Sequence, residues 1–152
     1  MAQHKKTAGC FPAFVRGDMR YFPFKLSFDV VFSLFTSFGY FDEDKKHLQV
    51  AREIAGSLVP NGTFVIDYFN AHYVAKTLVP QGERNIEDST VVEERWISDG
   101  RVHKKITIDK NDDKKQFHES VRMFELEEML NLLKHARLET KIVYGDYNGS
   151  AY

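Results

Sequence analysis

Phe28-Asp29-Val30-Val31-Phe32-Ser33-Leu34-Phe35 is almost wholly apolar and lacks the alternation of a strand with one wet face. Continuous apolar runs of this length belong to strands buried on both faces, as in a parallel sheet covered by helices. Downstream the spacing changes. Asp42, Glu43 and Asp44 set carboxylates in a first helical turn, where they complement the helix dipole. Leu48, Ala51, Ile54, Ala55 and Leu58 then recur every three or four residues and make one apolar face. Pro60-Asn61-Gly62 stops the helix and turns the chain, and Thr63-Phe64-Val65-Ile66-Asp67-Tyr68 is a second buried strand. Strand, helix and strand across residues 28–68 predict a right-handed parallel crossover.

Outward from this unit, residues 11–16 form a short apolar run, taken here as a strand, ended by Gly17-Asp18. On the other side, residues 91–97, 101–109 and 116–124 half-alternate, with turns at Ser98-Asp99-Gly100 and across residues 110–114. That pattern predicts a three-stranded antiparallel meander. Residues 125–135 carry Leu126, Met129, Leu130 and Leu133 at helical spacing, and residues 139–144 read as a last strand. The expectation is one α/β domain over residues 1–152. Residues 14–70 and 125–147 make an incomplete Rossmann-like sheet with flanking helices, and residues 88–124 an antiparallel insertion that serves as lid or platform over a cleft.

Composition narrows the function. The chain has 152 residues, 43% hydrophobic and 28% charged, which suits a folded core rather than disorder. With 21 basic and 22 acidic residues, no net field draws it to nucleic acid or an anionic membrane. The basic start, residues 1–6, has no apolar signal-peptide core, and no stretch reaches the ~18 apolar residues of a membrane span. A single cysteine, Cys10, and no Cys/His cluster at zinc spacing point to a reducing cytoplasm and no structural metal. Lys104, Lys105, Lys110, Lys114 and Lys115 are interrupted by Asp109, Asp112 and Asp113, as on a solvated hairpin tip.

Three motifs, in order, resemble the class I S-adenosylmethionine-dependent methyltransferases, especially the small-molecule branch. Phe14-Val15-Arg16-Gly17-Asp18-Met19-Arg20 with Phe22-Pro23-Phe24 is similar to the strand and turn that holds the adenine. Residues 28–35 with Thr36-Ser37-Phe38-Gly39-Tyr40-Phe41 resemble the strand that ends beside the methionine portion of the cofactor. Leu58-Val59-Pro60-Asn61-Gly62-Thr63-Phe64-Val65-Ile66 resembles the family's L-x-P-G-G turn into its next strand. A fourth, Phe117-His118-Glu119 through Arg122 to Glu127-Glu128-Met129-Leu130, resembles the Arg that precedes the last long helix. The resemblance implies S-adenosylmethionine as cofactor, with Asp18 and Met19 at the adenine and Phe32, Ser33 and Leu34 beside the cofactor. It implies a small-molecule methyl acceptor lined by Ser37, Tyr40, Tyr68, Asn70 and Arg122. Methyl transfer is an in-line displacement at a sulfonium, so orientation and water exclusion supply most of the catalysis and no nucleophile is required. Were a base needed, His72, His118 or Glu119 could serve, with Tyr147 a further orienting group. The catalytic residue itself stays unassigned.

Members of that family open with a strand into a G-x-G-x-G loop and carry an acidic residue for the ribose on the next strand. No two of the nine glycines here are two residues apart. The chain is therefore expected to be the later part of such a domain, cut at both ends, with activity of its own in doubt. The strand at residues 11–16 should either pair directly with residues 28–35 or lose its partner, and so hydrophobic an edge invites a homo-oligomer or strand exchange. Two functions follow: a methyltransferase completed by an upstream segment, or a non-catalytic methyltransferase-like partner subunit.

Overall fold

In the computed structural model, residues 12–111 and 113–152 are described, so Cys10, the basic start and Asp112 lie outside the described residues. The apolar run forms strand β1, Phe28–Ser33; helix α1 follows at Asp44–Ser57 and strand β2 at Leu58–Ile66. β1 and β2 pair in parallel, as the crossover predicts. Phe28 pairs with Leu58, and the register then jumps so that Val30 meets Thr63. The extra residues are Pro60-Asn61-Gly62, with Asn61 in the left-handed region at φ 65°. Gly62 is required there, because a Cβ would lie 2.9 Å from the Val59 carbonyl and 3.1 Å from that of Asp29. The predicted turn thus lies inside the strand as a bulge rather than before it.

The meander holds four strands, not three: β3 Gln81–Ile86, β4 Ser89–Ser98, β5 Arg101–Lys110 and β6 Asp113–Arg122, in that order and all antiparallel. β3 carries Gln-Gly-Glu-Arg-Asn-Ile and lies at the edge, where polar residues on both faces are allowed and leave no periodic signal. The β4–β5 turn follows the prediction, with Asp99 and Gly100 both at positive φ (51° and 66°), as a type I′ hairpin demands. A short helix α2, Ala71–Thr77, precedes the meander, and α3, Leu126–His135, follows it. Glu125 caps α3 in a capping box, its carboxylate accepting the Glu128 N–H while the Glu128 carboxylate accepts the Glu125 N–H at 2.9 Å.

Two predicted strands do not form. Residues 12–17 belong to no strand and are exposed. Residues 139–144 pair only through an isolated bridge between Tyr144 and Ala151. Among the described residues neither segment finds a strand edge beside it, and composition alone cannot make a strand without one. No helix among the described residues is long and apolar enough to cross a membrane.

The core joins Phe38, Val50, Ala51, Phe124, Met129, Leu133 and Ala136, with Phe64, Ile66 and Tyr68 packed against it. β1 and β2 therefore present one face, Val31 with Phe64 and Ser33 with Ile66, toward α1 and α3. The opposite face is bare: Val30, Phe32 and Val65 are exposed, Phe32 by 62%. The two-sided burial expected of the apolar run is thus one-sided, because among the described residues the helices lie on one side only.

Candidate functional site

In open α/β sheets ligands bind beyond the carboxyl ends of the strands, and here those ends converge on Asp67. Its N–H donates to the Ser33 carbonyl at 2.8 Å, continuing the β1–β2 ladder one step past the strands. Its own carbonyl accepts the Thr36 N–H at 3.1 Å, and its carboxylate accepts the Phe35 N–H at 2.8 Å and the Tyr147 hydroxyl at 3.0 Å. Phe35 and Thr36 are both left-handed (φ 54° and 56°), a costly conformation for an aromatic and a β-branched residue. Asp67 holds the turn in that state, and Ser37 closes it by donating its N–H and hydroxyl to the Leu34 carbonyl at 3.2 and 2.5 Å. The outcome is an apolar shelf, with Phe32, Leu34 and Phe35 turned outward and Phe35 85% exposed. The Tyr147 hydroxyl stays a donor beyond its ordinary range, since its bond to the Asp67 carboxylate raises its pKa.

A second knot fastens the loop after β1 to the meander. Gly39 accepts the Arg122 N–H at 2.8 Å through its carbonyl, at φ 100°. A Cβ on Gly39 would lie 2.9 Å from Val121 and 3.0 Å from the Tyr68 hydroxyl. The Tyr68 hydroxyl donates a short bond to the Arg122 carbonyl, and burial pushes its pKa up to about 12, so it keeps its proton. Arg101 adds bonds to the carbonyls of Phe41 (3.0 Å) and Gly39 (3.3 Å). Arg122 stacks on Phe124 at 5.0 Å and pairs with Glu128 at 2.8 Å, joining β6 to the start of α3. Beneath this knot His47 is fully buried among Phe38, Phe41 and Phe124. Its Nε2 accepts the Phe41 N–H at 3.1 Å, which leaves the proton on Nδ1, 3.6 Å from Asp44. Burial lowers the His47 pKa, against the opposing pull of Asp44.

Asp18 and Met19 begin a 3-10 turn, Met19–Tyr21. Arg20 grips both Asp18 carboxylate oxygens, the tightest contact at 2.5 Å, and that bond holds the Asp18 pKa down at about 2. Arg20 also lies over the Phe41 ring at 4.9 Å and its carbonyl accepts from Gln49 at 2.8 Å, which docks the turn on α1.

The structure therefore brings Tyr40, Tyr68 and Arg122 to one place around Gly39. Ser33 and Leu34 stand at the Asp67 turn, whereas Ser37 serves that turn and Asn70 caps α2 by accepting the Tyr73 N–H at 2.9 Å. Tyr40 faces Glu119, and its partial burial together with that charge raises its pKa. His72 pairs with Glu125 at 3.1 Å on the surface, and His118 stacks with His103 and Trp96 on the meander, ring centroids 5.2–5.6 Å apart. Two surface concavities lie elsewhere, one edged by Leu130, Lys134 and Leu138 and one by His72, Glu125 and Tyr152. Sequence reasoning passes over Asp67, although a lone acid at the end of an apolar strand of a parallel sheet is a legible signal.

These residues fit part of an S-adenosylmethionine site. The Asp18 carboxylate, although held by Arg20, has about four lone-pair sites and so keeps acceptor capacity for an exocyclic amine. Phe32 and Leu34 offer exposed apolar surface. The chain carries no G-x-G-x-G sequence to wrap the methionine portion.

Residues 1–66 match the family described as Methyltransferase domain. No curated protein matches the chain in sequence. Among solved structures, it is similar to an S-adenosylmethionine-dependent methyltransferase from Clostridium acetobutylicum ATCC 824, at TM-score 0.80 and 16% identity, over 93% of this chain and 60% of that one. It is similar to CalS10, an amino pentose methyltransferase from Micromonospora echinaspora solved with S-adenosylmethionine bound (TM-score 0.60, 21% identity, 88% and 59% covered). KedS8, a sugar N-methyltransferase from Streptoalloteichus sp ATCC 53650, also aligns (TM-score 0.61, 21% identity, 82% and 53% covered). The chain thus spans about three fifths of the length of the first of these structures.

Proposed function

We infer, for a chain that resembles the class I S-adenosylmethionine-dependent methyltransferases in fold and matches the methyltransferase domain over residues 1–66, that it forms the acceptor-side portion of an enzyme methylating a small molecule. The observation that supports this best is the position of the Asp67 turn: an apolar shelf at the carboxyl ends of β1 and β2, with the meander fastened beside it through Gly39 and Arg122. S-adenosylmethionine is the family's cofactor, and when bound it supplies an electrophilic methyl group on a sulfonium. Asp18 and Met19 would hold the adenine edge, and Phe32, Ser33 and Leu34 would flank the rest. Tyr40, Tyr68 and Arg122 border the acceptor side, with Ser37 and Asn70 fixing the turns that carry it. That methyl group would pass to a lone pair of the acceptor that these residues hold in line, sulfur retaining the electron pair of the bond it gives up. The acceptor's proton leaves to water or to an exposed base such as Glu119.

The small-molecule class rests on the amino pentose and sugar titles of similar folds, which support it by analogy. A cytoplasmic setting belongs to the same reading. A titration of the isotope-labelled chain with S-adenosylmethionine tests it. Saturable but weak perturbation of the Asp18, Met19 and Phe32–Leu34 amides is expected, because one wall of the pocket is present without its glycine-rich floor. Unperturbed amides there overturn the cofactor reading, and low-micromolar affinity overturns the partial pocket.

The bare edge and outer face of β1 favour a second reading, a non-catalytic partner subunit that pairs through β1 with another chain or a second copy. Absence of any cofactor perturbation together with stable assembly would select it.

A further inference from the structure

On one face of the meander, Glu93 of β4 is buried, its side chain 8% exposed, under three cations. Lys104 of β5 reaches it at 3.0 Å, Arg84 of β3 at 3.4 Å, and Arg95 of β4 by a short bond. Its pKa is lowered, chiefly by the Lys104 hydrogen bond, so one anion faces three cations. The cations are not used up by it. Arg84 makes a single long contact and is 60% exposed, although a guanidinium has five donors. Lys104 turns its ammonium to Glu93 rather than to Glu119, its partner across the β5–β6 ladder. Opposite Glu93 on β3 stands Gly82, which has no side chain to cover the Arg95 guanidinium, one-quarter of that side chain being exposed; a Cβ there would just touch it, at 3.5 Å. With Glu119 counted across the ladder from Lys104, three cations face two carboxylates, and one positive charge is left over.

The cluster also connects with the acceptor side. Arg95, Lys104 and Glu119 are register neighbours on β4, β5 and β6, and Glu119 is the charge that faces Tyr40. At the ~4.8 Å spacing of neighbouring strands, Arg95 stands about 10 Å from Glu119 along this row. We propose that Arg84, Arg95 and Lys104, gathered by Glu93 beside Gly82, form an anion subsite that takes the phosphate of a phosphate-bearing acceptor. This rests on the methyltransferase reading for the word acceptor; the anion site itself does not. Planar guanidinium groups suit phosphate oxygens, and phosphate brings more negative charge to this net positive cluster than a carboxylate does.

The test is an amide chemical-shift titration of the whole chain with inorganic phosphate, at ionic strength held constant with sodium chloride, and in parallel with acetate. Saturable shifts at Gly82, Arg84, Arg95 and Lys104 are expected, with phosphate bound more tightly than acetate. Arg84→Gln and Lys104→Gln should each weaken phosphate about tenfold, or ~1.4 kcal/mol. Lys115→Gln, an exposed lysine on β6 paired with Asp113, should leave it unchanged. Arg84 is exposed, so its variant keeps the fold, which a thermal melt verifies. Non-saturable shifts, equal binding by the Arg84 and Lys104 variants, or tighter acetate binding would overturn the proposal. Phosphate binding without any response to S-adenosylmethionine would instead remove the acceptor role and the methyltransferase reading, leaving the anion site standing.

Discussion

Asp67 sustains a backbone conformation that its neighbours resist. A left-handed L-residue costs roughly 1–2 kcal/mol, and Phe35 and Thr36 both carry that cost under the Asp67 carboxylate and carbonyl. Asp67→Ala removes a charged acceptor and is expected to destabilise the chain by about 2 kcal/mol, measured by urea denaturation. Thr36→Gly should act oppositely, gaining about 1 kcal/mol, because glycine reaches φ 56° without a Cβ clash. A destabilised Thr36→Gly would show that the turn is not strained. His47 gives a pH signature. Folding lowers its pKa from the ordinary 6.5, so between that value and the folded one the unfolded chain binds the extra proton. Stability should therefore stay level above about 6.5 and fall as pH drops from there toward the folded value. The Asp44 carboxylate beside it limits the fall, and Arg101 adds to it. Denaturation midpoints at pH 7.5 and 5.5 measure this, and His47→Gln should reduce the difference.

Between elements, the contact of the β1 loop with β6 depends on the absence of one side chain. Gly39→Ala would set a Cβ against Val121 and the Tyr68 hydroxyl at positive φ, and is expected to cost more than about 2 kcal/mol. A melt with wild-type midpoint would show that the loop can move off β6. α1, α3 and the β4–β5 hairpin are legible in the sequence because each follows a local rule: apolar residues at helical spacing in the two helices, and a Ser-Asp-Gly turn in the hairpin. What escapes depends on neighbours. β3 is polar because it is an edge, and residues 12–17 and 139–144 form no strand because none among the described residues offers them an edge. Among site residues, the turn at Ser33 and Leu34 is visible as the end of an apolar run. Asp67, Arg101 and Glu93 take their roles from partners 11 to 80 residues away in the chain, which no local pattern encodes.

A compact monomer of this length exposes roughly 8,000 Å² by the usual scaling of surface with mass, whereas this chain exposes 11824 Å². Part of the excess is the outer face of the two-stranded sheet, where Val30, Phe32 and Val65 stand in water beside the unpaired edge of β1. A largely apolar edge strand with no proline or lysine to blunt it is a template for a further strand. The chain is therefore expected to self-associate with rising concentration, seen as an increase of weight-average mass in sedimentation velocity. Val30→Lys with Phe32→Lys places two charges on the bare face and should return the chain to monomer. Both side chains are already exposed, so the double variant should change folding stability by no more than about 0.5 kcal/mol per site. A wild-type chain that stays monodisperse and monomeric at high concentration would show that the edge is protected in solution, and would count against the partner-subunit reading as well.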